Sequence, residues 1–382
     1  MMREISYIFA LCLLALASSC REDIFIHPST STEVEQPRIT GVDGFYLMNE
    51  GNMGSNKATL DYFDETTGVY HKNIYAERNP NVVKELGDVG NDIEIYGSKL
   101  YAVINCSHKV EVMNVEDATS IARIDIPNCR YVVGHGHHVY VSSYVSPVQD
   151  DPKAPLGAIY KVDTATMQVV NRINVGYQPE EMAISNGKIY VANSGGYRAP
   201  DYDNKVSVID LQTFELINEI EVAINLHRVK RDKNGMIYVS SRGDYATIPS
   251  SLYVIDPTID KVVAEVDVSI SDMWIHGDSA YIYSSARNDI TNTTSISYSI
   301  LNLNTLRVVD DKIIKDGTDV DIKLPRGIAV HPITGEIYIT DARNYVSSGR
   351  IHCYSPDGVL KWSQTTGEIP SQFAFKVKSL SK

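Results

Sequence analysis

Cysteine and tryptophan are scarce in this sequence, and acidic residues outnumber basic ones. The chain has 5 cysteines and 2 tryptophans, and 35 lysines and arginines stand against 48 aspartates and glutamates, for a net charge of −13. So few cysteines exclude a fold that depends on a disulfide framework. The acidic balance, together with the lack of a basic stripe, argues against nucleic acid as a partner.

Long hydrophobic runs and long helical periodicity are also missing. The apolar run Ile5–Ala17 follows Arg3 and is too short for a comfortable membrane span, so it predicts a signal peptide over residues 1–19. The motif Gly-Xaa-Ser-Xaa-Gly does not occur, and no glycine loop suited to phosphate is present. The sequence therefore gives no reason to expect an enzyme.

What the chain does contain is a repeated strand with a central tyrosine. One copy, Ile189-Tyr190-Val191, follows the turn Asn186-Gly187. The other copies lie 39 to 57 residues from their neighbours, at Phe45-Tyr46-Leu47, Leu100-Tyr101-Ala102, Val139-Tyr140-Val141, Ile237-Tyr238-Val239, Ala280-Tyr281-Ile282 and Ile337-Tyr338-Ile339. Strands of β-branched and aromatic residues that recur with this period, four to a unit, are typical of a β-propeller.

An acidic or amide residue closes the third strand of most units. These residues are Asp64, Asn114, Asp163, Asp210, Asp256 and Asn302. Each precedes a turn, so we expect the side chain to accept backbone N–H groups two residues on, in an Asx-type turn. Their recurrence once per unit favours this structural role over a catalytic one.

The two ends of the chain predict closure of the ring. The first unit begins at Gly44 with its second strand, whereas the last unit continues into Ile369–Phe375. That segment matches Leu324–Val330, which is a first strand. We therefore expect an all-β fold, a seven-bladed β-propeller over residues 42–382, in which the C-terminal strand completes blade 1 and removes an open sheet edge.

The segment before the propeller resembles a lipoprotein leader. Leu16–Cys20 is similar to a bacterial lipobox, which implies that Cys20 is lipidated. Arg21-Glu22-Asp23 resembles the surface-export signal of Bacteroidetes lipoproteins. The alternatives are an ordinary cleavable signal and a periplasmic address. Residues 24–41 are rich in Ser, Thr, Pro and Glu, so we expect residues 20–41 to consist of the lipidated cysteine and a flexible tether.

Two further signals are ambiguous. His135-Gly136-His137-His138 suggests a metal site, but no partner set at a fixed spacing accompanies it, so a turn on the face opposite the long loops is favoured. Cys106 and Cys129 are expected on the same face of adjacent blades, which leaves a disulfide bridge open, and Cys353 is expected to pack inward.

The long loops between second and third strands predict a binding face. They carry tyrosines and arginines, which offer large contact area and directional hydrogen bonds. The starts of the first strands add an inner ring of mixed charge, which suits a polar, hydrogen-bonding ligand. The candidate ligand-binding residues are Asn91, Asp92, Arg130, Tyr131, Tyr144, Glu180, Glu181, Tyr197, Tyr202, His227, Arg228, Arg242, Tyr245, Arg326 and Tyr345.

Residues 189–213 closely resemble the YVTN-type (YncE-like) repeat of seven-bladed surface propellers. The opening segment, Gly44–Asp64, with Asn49-Glu50-Gly51 and Asn56, resembles the first blade of Bacteroidetes surface lipoproteins that capture cobalamin (vitamin B12). The resemblance implies an outer-membrane lipoprotein facing the cell exterior. It also implies that the protein binds cobalamin or a related corrinoid, without a catalytic cofactor, and passes it to a TonB-dependent transporter.

Two other classes of function remain open from the sequence. One is a surface propeller that binds a glycan or a protein partner, although a glycan site would more often present tryptophan. The other is a secreted propeller enzyme of the lactonase type, which would need a metal set or a perturbed acid near the central channel.

Overall fold

Seven antiparallel sheets surround a central channel in the computed structural model, which describes residues 28–82, 86–146 and 151–378. The strands are β1 (Thr30–Glu33), β2 (Val42–Asn49), β3 (Thr59–Asp64), β4 (Val69–Lys72), β5 (Gly90–Tyr96), β6 (Lys99–Ile104), β7 (Lys109–Asn114), β8 (Ser120–Asp125), β9 (Cys129–His135), β10 (His138–Ser143), β11 (Ala158–Asp163), β12 (Val169–Asn174), β13 (Pro179–Ser185), β14 (Lys188–Asn193), β15 (Lys205–Asp210), β16 (Leu216–Glu221), β17 (Leu226–Arg231), β18 (Ile237–Ser241), β19 (Ser251–Asp256), β20 (Lys261–Val266), β21 (Asp272–His276), β22 (Ser279–Asn288), β23 (Thr293–Asn302), β24 (Arg307–Asp310), β25 (Pro325–Val330), β26 (Ile337–Asp341), β27 (Ser348–Tyr354), β28 (Leu360–Glu368) and β29 (Pro370–Val377). A short helix, α1 (Ile74–Arg78), and a 3₁₀ turn, Thr318–Asp321, lie outside the sheets.

The sheets are the blades of a seven-bladed β-propeller, as the repeats predict. Blades 2 to 7 each consist of four consecutive strands, beginning with β5, β9, β13, β17, β21 and β25. Their first strands pack side by side around the channel, and β29 packs against both β25 and β5, which closes the circle. The hydrophobic core lies between neighbouring blades, where alternate strand residues interdigitate.

In several blades the repeated tyrosine is hydrogen-bonded to the next blade, whereas the buried Tyr101 hydroxyl of blade 2 has no hydrogen-bond partner among the described residues. In blade 1 the Tyr46 hydroxyl donates to the carbonyl of Val115 in blade 2, at 2.9 Å. In blade 4 the Tyr190 hydroxyl donates to Asp260 in blade 5, at 2.6 Å. A buried aromatic ring with a hydrogen-bonded hydroxyl stabilises the packing without leaving a polar atom unpaired, which explains the use of tyrosine rather than phenylalanine.

The Asx-type turns are confirmed at all six predicted positions. The Asp64 carboxylate accepts the backbone N–H of Thr66 at 2.9 Å, and Asp163 accepts that of Ala165 at 3.0 Å. The same bond occurs at Asn114, Asp210, Asp256 and Asn302. These residues therefore fix turns between third and fourth strands.

Closure by the C-terminal strand is also confirmed. Strand β29 runs antiparallel to β2, from the pair Val42 and Val377 to the pair Asn49 and Pro370. It brings Phe373 into a cluster with Phe45 and other aromatic side chains of blades 1 and 7. The ring is therefore held both by backbone hydrogen bonds and by apolar packing.

The expectation of a flexible tether up to residue 41 is wrong for its described part. Thr30–Glu33 forms strand β1, which pairs with β4 and adds a fifth strand to the outer edge of blade 1. Farther along, Arg38 forms ion pairs with Glu65 at 2.6 Å and with Glu336 at 2.5 Å. The predicted signal peptide, Cys20 and the export signal lie outside the described residues.

Blade 6 differs from the expectation as well. Residues 284–294 lie between the second and third strands of this blade, where the sequence predicts one of the long loops, but β22 and β23 continue through them and pair as far as Asn288 and Thr293. Cys129 and Cys353 are free, so the bridge between Cys106 and Cys129 that the sequence left open does not form, and Cys353 is buried in the third strand of blade 7, as expected. Over the described residues, no helix has the length and apolarity needed to cross a membrane.

Candidate ligand-binding site

A cavity of about 550 Å³ opens at the mouth of the central channel, on the face that carries the long loops. First strands of several blades supply its floor, and the loop after β18 and the long hairpin of β22 and β23 form one wall. The cavity therefore covers the channel mouth and extends toward blades 5 and 6. Its size is that of pockets that hold small organic molecules.

Arginine dominates the charged lining of the cavity. Five arginines line it, Arg130, Arg228, Arg242, Arg287 and Arg326, whereas Glu50 is the sole acidic residue among the described lining residues. We call the site bounded by Arg130, Arg228, Arg242 and Arg326 the arginine cavity. Its lining is more uniformly positive than the mixed inner ring expected from the sequence.

Buried Glu180 holds two of these arginines. It accepts from Arg130 Nη2 at 3.1 Å and from Arg242 Nη1 at 3.1 Å, and the Tyr144 hydroxyl donates to it at 2.7 Å. Burial alone would raise the pKa of Glu180, but the two guanidiniums and the tyrosine outweigh it and lower the pKa to about 2. The Glu180 carboxylate thus accepts hydrogen bonds from two guanidiniums.

A chain of hydrogen bonds connects Arg228 to His227. Arg228 Nη1 donates to the Tyr131 hydroxyl at 3.2 Å, and that hydroxyl lies 3.0 Å from His227 Nε2. Arg228 also pairs with Asp272 at 2.9 Å, and the Gln372 amide, with its oxygen turned toward the guanidinium, accepts from both terminal nitrogens. These contacts fix the arginine in one orientation before any ligand arrives.

The His227 imidazole is neutral. Burial lowers its pKa, and Arg242, Arg228, Arg130 and Arg326 lower it further, to well below the ordinary value. The Tyr131 hydroxyl accepts from Arg228 and also lies within hydrogen-bond distance of Nε2, and a neutral ring has one N–H donor and one acceptor nitrogen.

Arg326 is held on the opposite side by Glu50. Its Nε and Nη2 atoms bond to the two carboxylate oxygens, each at 2.9 Å, in the bidentate geometry that suits a guanidinium. Glu50 belongs to the segment after β2, and Arg326 to the first strand of blade 7, so this pair spans the ring closure.

Two predicted acidic residues serve the structure instead of the cavity. Asp92 accepts the backbone N–H of Val132 in the next blade at 2.9 Å, and Glu181 accepts that of Val229 at 2.8 Å. Glu181 also pairs with Lys230 at 2.6 Å, and burial raises the pKa of Asp92 to about 6. These equivalent positions join neighbouring first strands below the cavity.

The structure divides the predicted site residues into two groups. Eight line the cavity, namely Asn91, Arg130, Tyr131, His227, Arg228, Arg242, Tyr245 and Arg326. Seven do not, namely Asp92, Tyr144, Glu180, Glu181, Tyr197, Tyr202 and Tyr345. Among the latter, Tyr144 and Glu180 support the arginines from behind, and Tyr197 and Tyr345 are exposed on the same face.

Several lining residues were missed by the sequence reasoning. Glu50 lies in the segment that carries the resemblance but is not among the candidate ligand-binding residues, and Gln372 aligns with the inner ring but is not among those candidates either. Tyr283, Ile248 and Asn288 line the wall formed by blades 5 and 6. The signal for Tyr283 and Asn288 is the unusual length of the segment between Ala280 and Ile300, in which the sequence predicts a loop over residues 284–294.

The wall is tied together at its top. The Asn288 amide donates to the carbonyl of Ala246 at 3.3 Å, and the backbone N–H of Asp289 donates to the carbonyl of Tyr245 at 2.9 Å.

The predicted histidine turn lies elsewhere, between β9 and β10 on the opposite face. Within the described part of the chain, no three His, Cys, Asp or Glu residues are grouped as a metal site would need.

Comparison with known families gives one match over most of the chain. A family model described as "Domain of unknown function (DUF5074)" matches residues 43–377. No curated protein matches the chain.

Solved structures share its architecture at low sequence identity. The chain is similar to hydrazine synthase from Kuenenia stuttgartiensis, with 18% identity and a TM-score of 0.55 over 70% of this chain and 77% of that one. It is similar to a quinonprotein alcohol dehydrogenase-like protein from Bacteroides thetaiotaomicron, with 17% identity and a TM-score of 0.57 over 89% and 79%. It is also similar to a hypothetical selenium-binding protein from Sulfolobus tokodaii, with 12% identity and a TM-score of 0.63 over 89% and 95%. Likeness at this level concerns the fold alone.

Proposed function

We propose that this chain, which belongs to the DUF5074 family, is a ligand-binding propeller that holds a polar organic ligand, without covalent chemistry, in the arginine cavity. The observation that carries the proposal is the fixed set of guanidiniums around an open cavity of about 550 Å³. Glu180, Asp272 and Glu50 hold four arginines in place. A preformed site loses little conformational entropy on binding, which favours affinity.

The ligand that we propose to test first is cobalamin or a related corrinoid. A corrinoid is broad, fairly flat and edged with amides, so one edge of it would enter the cavity while the rest lies against the long loops. Amide groups find partners in the arginines and in Asn91, Asn288 and Gln372 of the lining. Tyr245, also in the lining and 37% exposed, offers an aromatic face for stacking.

Retention of colour tests this ligand directly. Purified protein is incubated with cobalamin and desalted, and we expect the protein fraction to stay pink. In calorimetry, Tyr245→Ala should weaken binding at least about tenfold, because a central aromatic contact contributes about 2 kcal/mol or more. His135→Ala, an exposed residue on the opposite face, is the control and should bind as the natural protein does.

The outcomes separate the ligand from the site. Absence of both heat and spectral change at micromolar protein would reject cobalamin. A loss of binding in His135→Ala with none in Tyr245→Ala would instead reject the arginine cavity as its place.

The proposal extends to the cell surface. We propose that the protein is anchored in the outer membrane through lipidated Cys20, faces the exterior, and passes its ligand to a TonB-dependent transporter. The sequence of residues 16–23 supports this placement. A pull-down from outer membranes with cobalamin present, compared with one without it, tests the transporter as a partner.

The alternatives receive unequal support from the site. A glycan platform of tryptophan is not supported, because Trp362 is buried and Trp274 packs against Phe375. A lactonase-type activity draws on one observation, the neutral imidazole of His227, which is able to accept a proton. Hydrolysis of a simple lactone that disappears in His227→Ala would favour this second function.

A further inference from the structure

The arginines of the cavity carry more donors than their carboxylate partners use. Arg242 donates to Glu180 through Nη1, and within the described residues its Nε and Nη2 have no protein partner. Glu50 takes the Nε and Nη2 atoms of Arg326, which leaves Nη1 without a partner in the same part of the chain. Because every guanidinium has five N–H donors in a plane, these free edges are suited to a second acceptor.

The charges around the cavity do not balance. Four guanidiniums, those of the arginine cavity, share the three carboxylates of Glu50, Glu180 and Asp272. The neighbouring Lys230 is matched by Glu181. At the cavity itself the guanidiniums therefore outnumber the carboxylates that they contact by one, in a partly buried region where electrostatic interactions are stronger than in water.

His227 is the residue whose pKa responds to these guanidiniums. Its ring is held by Tyr131, and the four guanidiniums each lower its pKa, as does burial. A neutral imidazole carries one N–H donor, so it adds a donor without adding a charge. An anion bound there would attract a proton, so the pKa of His227 should rise when the site fills.

We propose that the arginine cavity contains an oxyanion subsite, formed by Arg242 and Arg326 beside His227, that binds a carboxylate or phosphate group of the ligand. The inference rests on the proposed binding function and specifies the chemistry of its ligand. Guanidiniums recognise both groups through paired N–H donors, so the shared chemistry is an oxyanion with at least two acceptor oxygens. The ligand is therefore expected to carry such a group in addition to its neutral polar edge.

Two simple probes test the subsite with the whole protein. Inorganic sulfate stands for the tetrahedral oxyanion and acetate for the carboxylate, and both keep a constant charge near neutral pH. Binding is measured by calorimetry and by the NMR shift of the His227 ring. We expect one of the two probes to bind and to raise the pKa of His227. The probe that binds more tightly shows whether the natural ligand presents a tetrahedral oxyanion or a carboxylate.

Four variants decide whether the named arginines are responsible. Arg242→Gln and Arg326→Gln should each weaken the tighter probe at least about tenfold, because each removes a charge-assisted hydrogen bond. Arg123→Gln, exposed on β8 far from the cavity, is the matched control and should change nothing. Glu50→Gln should strengthen binding, since it removes one of the two oxygens that accept from Arg326 and also removes a competing negative charge.

The possible results separate this inference from the binding function itself. If cobalamin binds but neither sulfate nor acetate does, the subsite is overturned and the binding function stands. If a probe binds equally well to the natural protein, Arg242→Gln and Glu50→Gln, the subsite is overturned as well. If thermal melting shows that an arginine variant does not fold, Glu50→Gln alone tests the subsite, because it is predicted to bind the probe more tightly.

Discussion

Glu180 shows how one buried acid organises the charged side chains above it. It contacts Arg130, Arg242 and Tyr144 and is almost fully buried, with 1% of its surface exposed. Its carboxylate is ionised because the guanidiniums outweigh the cost of burial. In the proposed function, Glu180 would therefore act only through the arginines that it positions.

Replacement of Glu180 by Gln should destabilise the protein in a pH-dependent way. The folded pKa of about 2 lies below the ordinary value of 4.5, so the carboxylate contributes stability that is fully present above pH 4.5 and is lost as the pH falls toward 2. We expect Glu180→Gln to cost about 3 kcal/mol at pH 7 and much less near pH 2.5. Urea unfolding at both values measures the difference.

A control from an outer strand completes this test. Glu219 pairs with Lys205 at 3.3 Å but is exposed, so Glu219→Gln should leave the unfolding free energy unchanged at either pH. An equal loss of stability in Glu180→Gln at both pH values would contradict the ionised, paired state of Glu180.

The residues of the inner ring were predicted from the sequence, but their roles were not. Alignment of the repeats placed Glu180, Glu181, His227 and Arg228 at the starts of first strands, where they are found. Adjacent residues of a strand point to opposite sides, and whether a side chain faces the cavity or the next blade depends on the register between blades. That register is a tertiary property, so sequence alone did not separate Glu180, which supports arginines, from Glu181, which bonds to Val229.

Strand β29 is the element that turns a row of blades into a ring. Its side chains fill the core between blades 1 and 7, where Phe373 is 6% exposed. The ring centroid of Phe373 lies 5.5 Å from that of Phe45 and 6.2 Å from that of Tyr338. The C-terminal strand thus joins the two ends of the chain through apolar contacts as well as through its ladder with β2.

Phe373→Ala should weaken this closure. Removal of a buried phenylalanine ring costs about 3–5 kcal/mol through lost burial and the cavity left behind. We expect a clear fall in melting temperature for this variant and almost none for Val377→Ala, which lies on the same strand but is 54% exposed. Equal melting temperatures for Phe373→Ala and the natural protein would contradict the role of β29.

Arg38 is expected to clamp the N-terminal segment across the same junction. Its guanidinium contacts Glu35 and Glu65 of the chain's beginning and Glu336 of blade 7, and Lys361 also contacts Glu336. Arg38→Ala leaves buried carboxylates with fewer partners, so we expect a loss of about 3 kcal/mol in the free energy of unfolding. Denaturant titration measures it, with exposed Arg307→Ala on β24 as the control. A loss of the same small size in both variants would show that the clamp contributes nothing.

Elements with a clear alternating pattern were predicted, and the exceptions lacked one. Strand β14 has buried apolar residues and is bounded by the turn Asn186-Gly187 and by Asn193. Strand β1 has the sequence Thr-Ser-Thr-Glu and is exposed throughout. Strand β1 exists because β4 offers an unpaired edge, which is a property of the folded blade. The hairpin of blade 6 was missed for a related reason, since its Ser- and Thr-rich tip resembles a loop.

At the scale of the whole molecule, the two faces of the ring differ. The arginine cavity and the long segments lie on one face, and short turns such as Gly136 and Gly187 lie on the other. A propeller that captures a ligand at a surface needs the first face turned outward. The placement of the chain in the cell is therefore part of the proposed function.

Cys20→Ala tests that placement. If Cys20 carries the lipid, we expect this variant to move from the membrane fraction to the soluble fraction on cell fractionation. Protease added to intact cells should degrade the natural protein, whereas a periplasmic protein of the same cells serves as the control and should survive. A natural protein that resists protease until the cells are lysed would contradict the surface location.

The edge strand β1 has a mechanical consequence. A pull on the N-terminal end reaches the folded domain at Thr30, and this residue opposes Lys72 at the end of a ladder of only four residue pairs. A force directed away from the blade would open these pairs one at a time, and it would meet the ion pairs of Arg38 before it reached the ring. The strand would thus extend under tension and dissipate work while the arginine cavity keeps its shape.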